Sequence, residues 1–202
     1  MSYVVHLAAF SEDGYIGLGD KLPFDVPEDL QNFKALTQDA LICMGFNTFQ
    51  SIHDNYTKKG KDFLPGRKVT VVCSDDAKAV KRSAEFPADN VLFVSHRMFS
   101  GLVHRNNRPI IVVGGAQLYQ MFRPNLIIAT KVHTKVVGDN DEVVVDTQDE
   151  KNPLNRRKSD NKILTKYPFF HRLEQDWNAL SFDTKTSSSG LDYTYTVYHP
   201  TY

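Results

Sequence analysis

Ile110-Ile111-Val112-Val113-Gly114-Gly115-Ala116 is the stretch whose reading decides the fold. Four consecutive apolar residues do not suit a strand with one face in water, which alternates apolar and polar positions. They suit a strand covered on both faces, as in a largely parallel sheet. The two glycines then lead into a segment with helical amphipathy, residues 116–122. Outward from this run, β-branched stretches recur at 3–10, 41–44, 68–73, 91–94 and 126–134. Helical segments are expected between them at 46–52 and 96–103, and one begins at Val26-Pro27-Glu28-Asp29-Leu30, where a proline and two acids suit a helical first turn. Its apolar stripe is read through Leu30, Phe33 and Leu36. Alternating strands and helices predict an α/β fold with a mostly parallel central sheet flanked by helices. The C-terminal third reads differently: 177–186 and 191–199 alternate around Ser187-Ser188-Ser189-Gly190, the pattern of an antiparallel hairpin. Residues 138–166 are charged and poor in apolar residues, so a single domain over 1–202 is expected, with an insertion at about 140–166.

Composition narrows the function classes. The 202 residues carry 24 Lys and Arg against 24 Asp and Glu. Zero formal charge argues against a general nucleic-acid binder, which needs a basic surface. Arg156-Arg157-Lys158 is a local cluster of the kind usually found on a solvated face. Apolar runs fall short of the roughly 20 residues that span a bilayer, so no membrane partner is expected and a cytoplasmic location is. Cys43 and Cys73 each lie in an apolar run and read as core thiols. His6, His133 and His171 show no metal-ligand spacing, so no metal is expected. Neither a GxSxG elbow nor a P-loop occurs.

Four features could carry chemistry. Gly114-Gly115 lets backbone approach a ligand closely, and the helix start after it favours an anion, although an ordinary sharp turn has the same composition. The spacing is not GxGxxG. Asp29 shares a helical face with Phe33 and Leu36. A carboxylate there either serves a ligand or only complements the helix dipole. Leu64-Pro65-Gly66-Arg67 delivers a guanidinium to a strand start, suited to a carboxylate or phosphate if it is more than a surface arginine. Gly14-Tyr15-Ile16-Gly17-Leu18-Gly19-Asp20 has the glycine density of a flap.

In order along the chain, these segments resemble dihydrofolate reductase. The resemblance runs through Leu7-Ala8-Ala9, Ile16-Gly17, Leu22-Pro23-Phe24, Pro27-x-Asp29-Leu30-x-x-Phe33-Lys34 with Thr37, Met44-Gly45-x-x-Thr48-Phe49-x-Ser51-Ile52, and Leu64-Pro65-Gly66-Arg67. It continues through Val113-Gly114-Gly115-x-x-x-Tyr119, Thr130, Gly138-Asp139 and Asp176-Trp177. Leu18-Gly19-Asp20 and the run 29–35 look like the bacteriophage-type enzymes. The resemblance implies NADPH-dependent reduction of 7,8-dihydrofolate, with hydride passing from nicotinamide C4 to pterin C6 and a proton to N5. It implies that Asp29, supported by Thr130, holds the pterin and promotes that protonation, with Leu22 on the flap over the nicotinamide. Leu7, Leu30, Phe33, Ile52, Leu64 and Val113 would line the substrate site, and Arg67 would clamp the glutamate carboxylate. NADPH would meet Ala9, Ile16 and Gly17 at the nicotinamide, with Tyr119 nearby, and Gly45, Asn47, Thr48, Gly114 and Gly115 along the diphosphate. Ser74 would meet the adenosine end, and Asp139 would grip flap amides.

This chain departs from the family at several positions. Phe24 stands where the family usually has tryptophan. Phe46 and Gln117 stand where basic residues are frequent, which opens the choice between NADPH and NADH, with Asn47, Ser74, Lys78, Ser95 and Arg97 as candidate substitutes. The insertion could serve a homodimer or an assembly partner. Two alternatives remain: a pyrimidine or pterin reductase of the same fold, for which the Arg67 clamp is unnecessary, and a structural subunit, for which Asp29 and Thr130 are unnecessary.

Overall fold

The computed structural model describes residues 3–19, 21–105, 108–137 and 164–201. These fall into two compact units, one drawn from residues before Ala8 and from Phe33–Leu126, the other from Ala8–Asn32 and the residues after Leu126. Strand β1 (Val4–Ser11) and helix α1 (Pro27–Thr37) run from one unit into the other.

In the first unit, β6 (Ile110–Val112) lies between β1 and β3 (Leu41–Gly45), and β4 (Lys68–Cys73) and β5 (Val91–Ser95) follow beyond β3, every pair parallel. A strand paired on both edges and covered on both faces explains the unbroken apolar run at β6. Helices α2 (Phe46–Lys58), α3 (Asp76–Glu85), α4 (His96–Arg105) and α5 (Ala116–Met121) follow β3, β4, β5 and β6, so their N-termini gather at the carboxyl edge of these strands. The core centres on Phe49, whose ring meets Phe63, Phe86 and Phe93 edge-on at 5.0, 5.3 and 5.2 Å.

The second unit is antiparallel. Strand β11 (Asp192–Pro200) pairs with β7 (Leu126–Val132), β9 (Trp177–Ser181) and β10 (Lys185–Thr186). A separate two-stranded ribbon joins β2 (Tyr15–Leu18) to β8 (Leu164–Lys166), and α6 (Leu173–Asp176) is a single turn before β9.

The α/β class and the C-terminal antiparallel strands agree with the sequence reading, and the differences have physical causes. Helix α3 was not expected, because only Ala79 of its ten residues is buried and little apolar pattern marks it. Its start is set instead by Asp75, which accepts the Lys78 amide at 2.7 Å. The stripe expected at Leu30 and Leu36 is not the inward one, since both are exposed and Thr37 is buried. Thr37 tolerates burial because its hydroxyl donates to the Phe33 carbonyl at 2.6 Å. Leu164–Lys166, read from the sequence as part of an insertion, forms a strand paired with β2. Residues 138–163, with Gly138-Asp139 and Arg156-Arg157-Lys158, lie outside the described residues, as does any assembly contact expected there. No described helix is long and apolar enough to cross a membrane.

Replacing Phe49 with alanine removes the ring on which this core converges. The expected loss is about 3–5 kcal/mol of unfolding free energy, read as a lower denaturant midpoint in equilibrium unfolding.

Candidate active site

The acid at the start of α1 is held from two sides. The Asp29 amide donates to the Val26 carbonyl at 2.9 Å, and its carboxylate accepts the Thr130 hydroxyl from β7 at 2.5 Å. Burial pushes the Asp29 carboxyl above its ordinary 3.8, and the Thr130 bond opposes the shift without cancelling it. Tyr195 lies directly across from Thr130 in the β11–β7 ladder and donates to the Glu28 carbonyl at 3.3 Å. Burial pushes its phenol up, with Tyr193 and Asp29 adding to the shift. Glu28 accepts the Ser188 amide at 2.9 Å, and the Ser189 hydroxyl donates to the Asp25 carbonyl at 2.5 Å, so the hairpin turn stitches down the start of the helix. Tyr195, Ser188 and Ser189 were not singled out from the sequence. Alternation marked their strand and turn, but not which helix they would meet.

Asp29, Phe33 and Thr37 recur at four-residue spacing along α1, whereas Leu30 is 58% exposed. Phe33, Ile52 and Val113 pack against the core that contains the fully buried Leu64. Arg67 is only 3% exposed, and its Nε donates to the Thr37 hydroxyl at 2.8 Å, Nη1 to the Pro65 carbonyl at 2.7 Å and Nη2 to the Lys34 carbonyl at 2.9 Å. A guanidinium has five N–H donors, so these bonds leave one on each terminal nitrogen. The preceding turn carries Leu64 at φ 42° and Gly66 at φ 76°, and Asn90 Nδ2 holds the Phe63 and Leu64 carbonyls at 3.0 and 3.2 Å. A leucine in the left-handed region is a strained conformation that its surroundings maintain.

Gly114 and Gly115 are joined by a cis peptide bond, and Gly114 has φ 128°. A Cβ at these two positions would lie 3.2 and 3.4 Å from the Thr48 hydroxyl. The Gly114 carbonyl accepts the Gly45 amide at 2.8 Å, which brings this turn against the start of α2. Gly45 caps α2 without a side chain, so the first amides of the helix remain available to an anion. The structure thus brings together Gly45, Thr48, Gly114 and Gly115, with Asn47 exposed on the first turn of α2. Ser74 stands apart from them at the β4–α3 turn, exposed and bonded to Asp75 at 2.9 Å. Tyr119 is buried, with its hydroxyl on the Leu7 carbonyl at 2.7 Å and its ring 4.8 Å from His6. Burial lowers the His6 pKa to about 3, so its ring stays neutral.

The flap residues belong to the second unit. Gly17 pairs with Thr165, with a bulge between Tyr15 and Gly17 that includes Ile16. Leu18 and Lys21 exchange amide bonds at 2.8 and 3.3 Å, and Leu22 follows, 45% exposed. Phe24 is buried with Ala9, Val26, Val132 and Tyr193. Asp139 lies outside the described residues, but another carboxylate grips amides here. Asp13 accepts from Val136 at 3.0 Å and Val137 at 2.9 Å, and takes the Ser11 hydroxyl at 2.5 Å. Asp13 was missed because one acid in a polar turn carries no pattern.

Comparison with known proteins follows the same lines. The family model described as dihydrofolate reductase matches residues 3–196. The dihydrofolate reductase of Lactococcus lactis is 28% identical over 141 residues, covering 67% of this chain and 75% of that one. That of Buchnera aphidicola is 33% identical over 135 residues, 66% of this chain and 74% of the relative. Among solved structures, the Enterococcus faecalis dihydrofolate reductase complexed with NADP(H) and RAB-propyl superposes with a TM-score of 0.65, covering 99% of this chain and 97% of that one at 17% identity. At that identity it speaks for the fold.

Asp29→Asn removes an ionisation that burial opposes. A carboxyl raised in the folded state contributes stability that is full below the ordinary 3.8 and is lost as pH rises through the raised value. The variant is therefore expected to be more stable than wild type near neutral pH, with the gap closing as pH falls towards 3.8. Denaturant melts across that range measure it, and a variant less stable at neutral pH contradicts it.

Proposed function

The chain belongs to the dihydrofolate reductase family, and from that premise we infer that it is a working enzyme, reducing 7,8-dihydrofolate to 5,6,7,8-tetrahydrofolate. NADPH supplies the hydride that passes from nicotinamide C4 to pterin C6. What the chain adds is recognition, orientation and the proton that N5 must gain, since protonation there makes C6 electrophilic.

The observation that carries this reading is the Asp29 carboxyl held by Thr130, with its pKa raised by burial. A carboxylate so placed accepts hydrogen bonds from the 2-amino and N3 groups of the pterin and keeps a proton within the substrate's reach at higher pH than an exposed acid would. Thr130 donates to one oxygen, which leaves the other to face the substrate. Phe33 and Leu30 offer apolar surface to the ring system, joined by Ile52, Val113 and Leu7, whereas Leu64, also expected there, is fully buried in the core. At the tail, the two remaining N–H groups of Arg67 suit a carboxylate gripped by two parallel bonds.

The residues around Gly114 fit a dinucleotide. The amides at the start of α2 meet the diphosphate, and glycine at 45, 114 and 115 keeps side chains out of its way, beside Asn47 and Thr48. Ala9, Ile16 and Gly17 offer backbone to the carboxamide, Leu22 covers the ring, Tyr119 supports the strand beneath it, and Ser74 faces the adenosine end. We place the reaction in the cytoplasm, the host's if the chain is of bacteriophage origin. Its two buried, unpaired cysteines suit a reducing compartment.

Purified protein is expected to consume NADPH only when dihydrofolate is present, followed by loss of reduced-nicotinamide absorbance. Absence of turnover with either nicotinamide cofactor overturns the reading. Asp29→Asn is expected to lower kcat by about 100- to 10,000-fold near neutral pH, with a smaller loss in acid, where solvent can protonate the substrate. Arg67→Lys is expected to raise KM for dihydrofolate by about 10- to 100-fold with little change in kcat, since a charge-assisted pair loses its second bond.

A further inference from the structure

The second phosphate of NADPH, on the adenosine 2′-oxygen, needs a cation, and neither Phe46 nor Gln117 supplies one. The carboxyl edge of the parallel strands, where α/β sheets bind nucleotides, holds a group that the sequence reading passed over. Arg82 projects from α3 with its guanidinium carbon 3.9 Å from the centre of the Phe46 ring. Phe46 is the first residue of α2, at the end of β3. At the neighbouring end of β4, Arg82 and Lys78 both oppose the rise that burial imposes on the Cys73 thiol, so both cations lie within electrostatic reach of this edge.

Three of the other candidates, Ser95, Ser74 and Lys78, already have partners within the chain. Ser95 is buried and its hydroxyl accepts the Met98 amide at 3.3 Å. Lys78 donates to Ser74 at 2.9 Å and lies 3.5 Å from Asp75. Asp75 could otherwise favour NADH by accepting from a free 2′-hydroxyl, but one oxygen caps α3 and the other takes Ser74. Arg82 is bonded through Nη1 to Glu85 at 2.5 Å, and Glu85 also faces Lys81 at 3.7 Å. Such an exposed pair is weak, so a dianionic phosphate can displace the carboxylate. The aromatic ring beneath holds the guanidinium plane and lowers the cost of desolvating it.

We propose that Arg82, stacked on Phe46 and assisted by Ser74 and Lys78, binds the 2′-phosphate and sets the preference of this enzyme for NADPH over NADH. The proposal rests on the reductase reading above. Its test is calorimetric titration of the full chain with adenosine 2′,5′-bisphosphate and adenosine 5′-monophosphate, alongside kcat/KM for both cofactors. Wild type is expected to bind the bisphosphate more tightly. Arg82→Gln is expected to weaken bisphosphate binding by about 10- to 100-fold, to leave the monophosphate within about twofold, and to lower the NADPH-to-NADH ratio of kcat/KM in parallel. Arg82→Lys is expected to recover only part of the loss. An unchanged bisphosphate affinity in Arg82→Gln, equal losses for both nucleotides, or a wild type that prefers NADH overturns the role of Arg82 while dihydrofolate turnover persists. A wild type that binds neither nucleotide and turns over neither cofactor overturns the reductase reading, and this proposal with it.

Discussion

The hydrogen bond from Thr130 to Asp29 ties the first turn of α1 to β7, and the proposed chemistry rests on it. A carboxyl removed from water is costly unless it finds donors, and among the described residues the Thr130 hydroxyl is the side-chain donor that meets it. That leaves the group short of full compensation, which is why its pKa stays raised. A second or third donor would have made Asp29 an inert anion. A more exposed position would have returned it to the ordinary carboxylate range. The position of the helix start follows from the same need for order, since Glu28 is fixed by the Ser188 amide and the Tyr195 hydroxyl.

Much of the fold could be read because its informative segments are local. Ile110 to Val113 announced a doubly covered strand, and the glycines after it proved to pack where a Cβ would crowd the Thr48 hydroxyl. Asp29, Thr130 and Arg67 could be named from the order of motifs, but their partners could not. Nothing in the sequence says that Thr37 is the residue on which Arg67 rests, because a buried threonine looks like any polar helical residue until its hydroxyl is seen between a carbonyl and a guanidinium. The same limit explains Leu30 and Leu36. Apolar residues on a helix are assigned to the core by default, and α1 breaks that default by burying Thr37 and leaving both leucines exposed. Helix α3 was missed for the opposite reason, having almost no buried face.

Arg67 shows how a fork is preset. Three of its bonds go to Thr37, Pro65 and Lys34, and the strained Leu64 backbone holds the turn that supplies one of those carbonyls. The conformational freedom of a long side chain is thereby lost on folding rather than on binding, which would favour affinity for the proposed carboxylate. Lysine could occupy the space but has neither the planar geometry nor enough donors to hold the turn and grip a carboxylate together.

Zero net charge and the binding of anionic ligands are compatible because each charge is met locally. On the proposed reading one helix start would serve a diphosphate and one buried guanidinium a carboxylate, which asks for no basic excess over the surface as a whole. Arg82 extends the same logic. Glu85 keeps it neutral in company, and the Phe46 ring keeps it in place. A chain that has phenylalanine at the start of α2 has not necessarily given up a cation there, because an aromatic ring at that point is a platform on which a cation from the next helix can stand. The consequence concerns substitution as much as binding: Phe46 and Arg82 act as one unit, so the effect of changing either depends on the presence of the other.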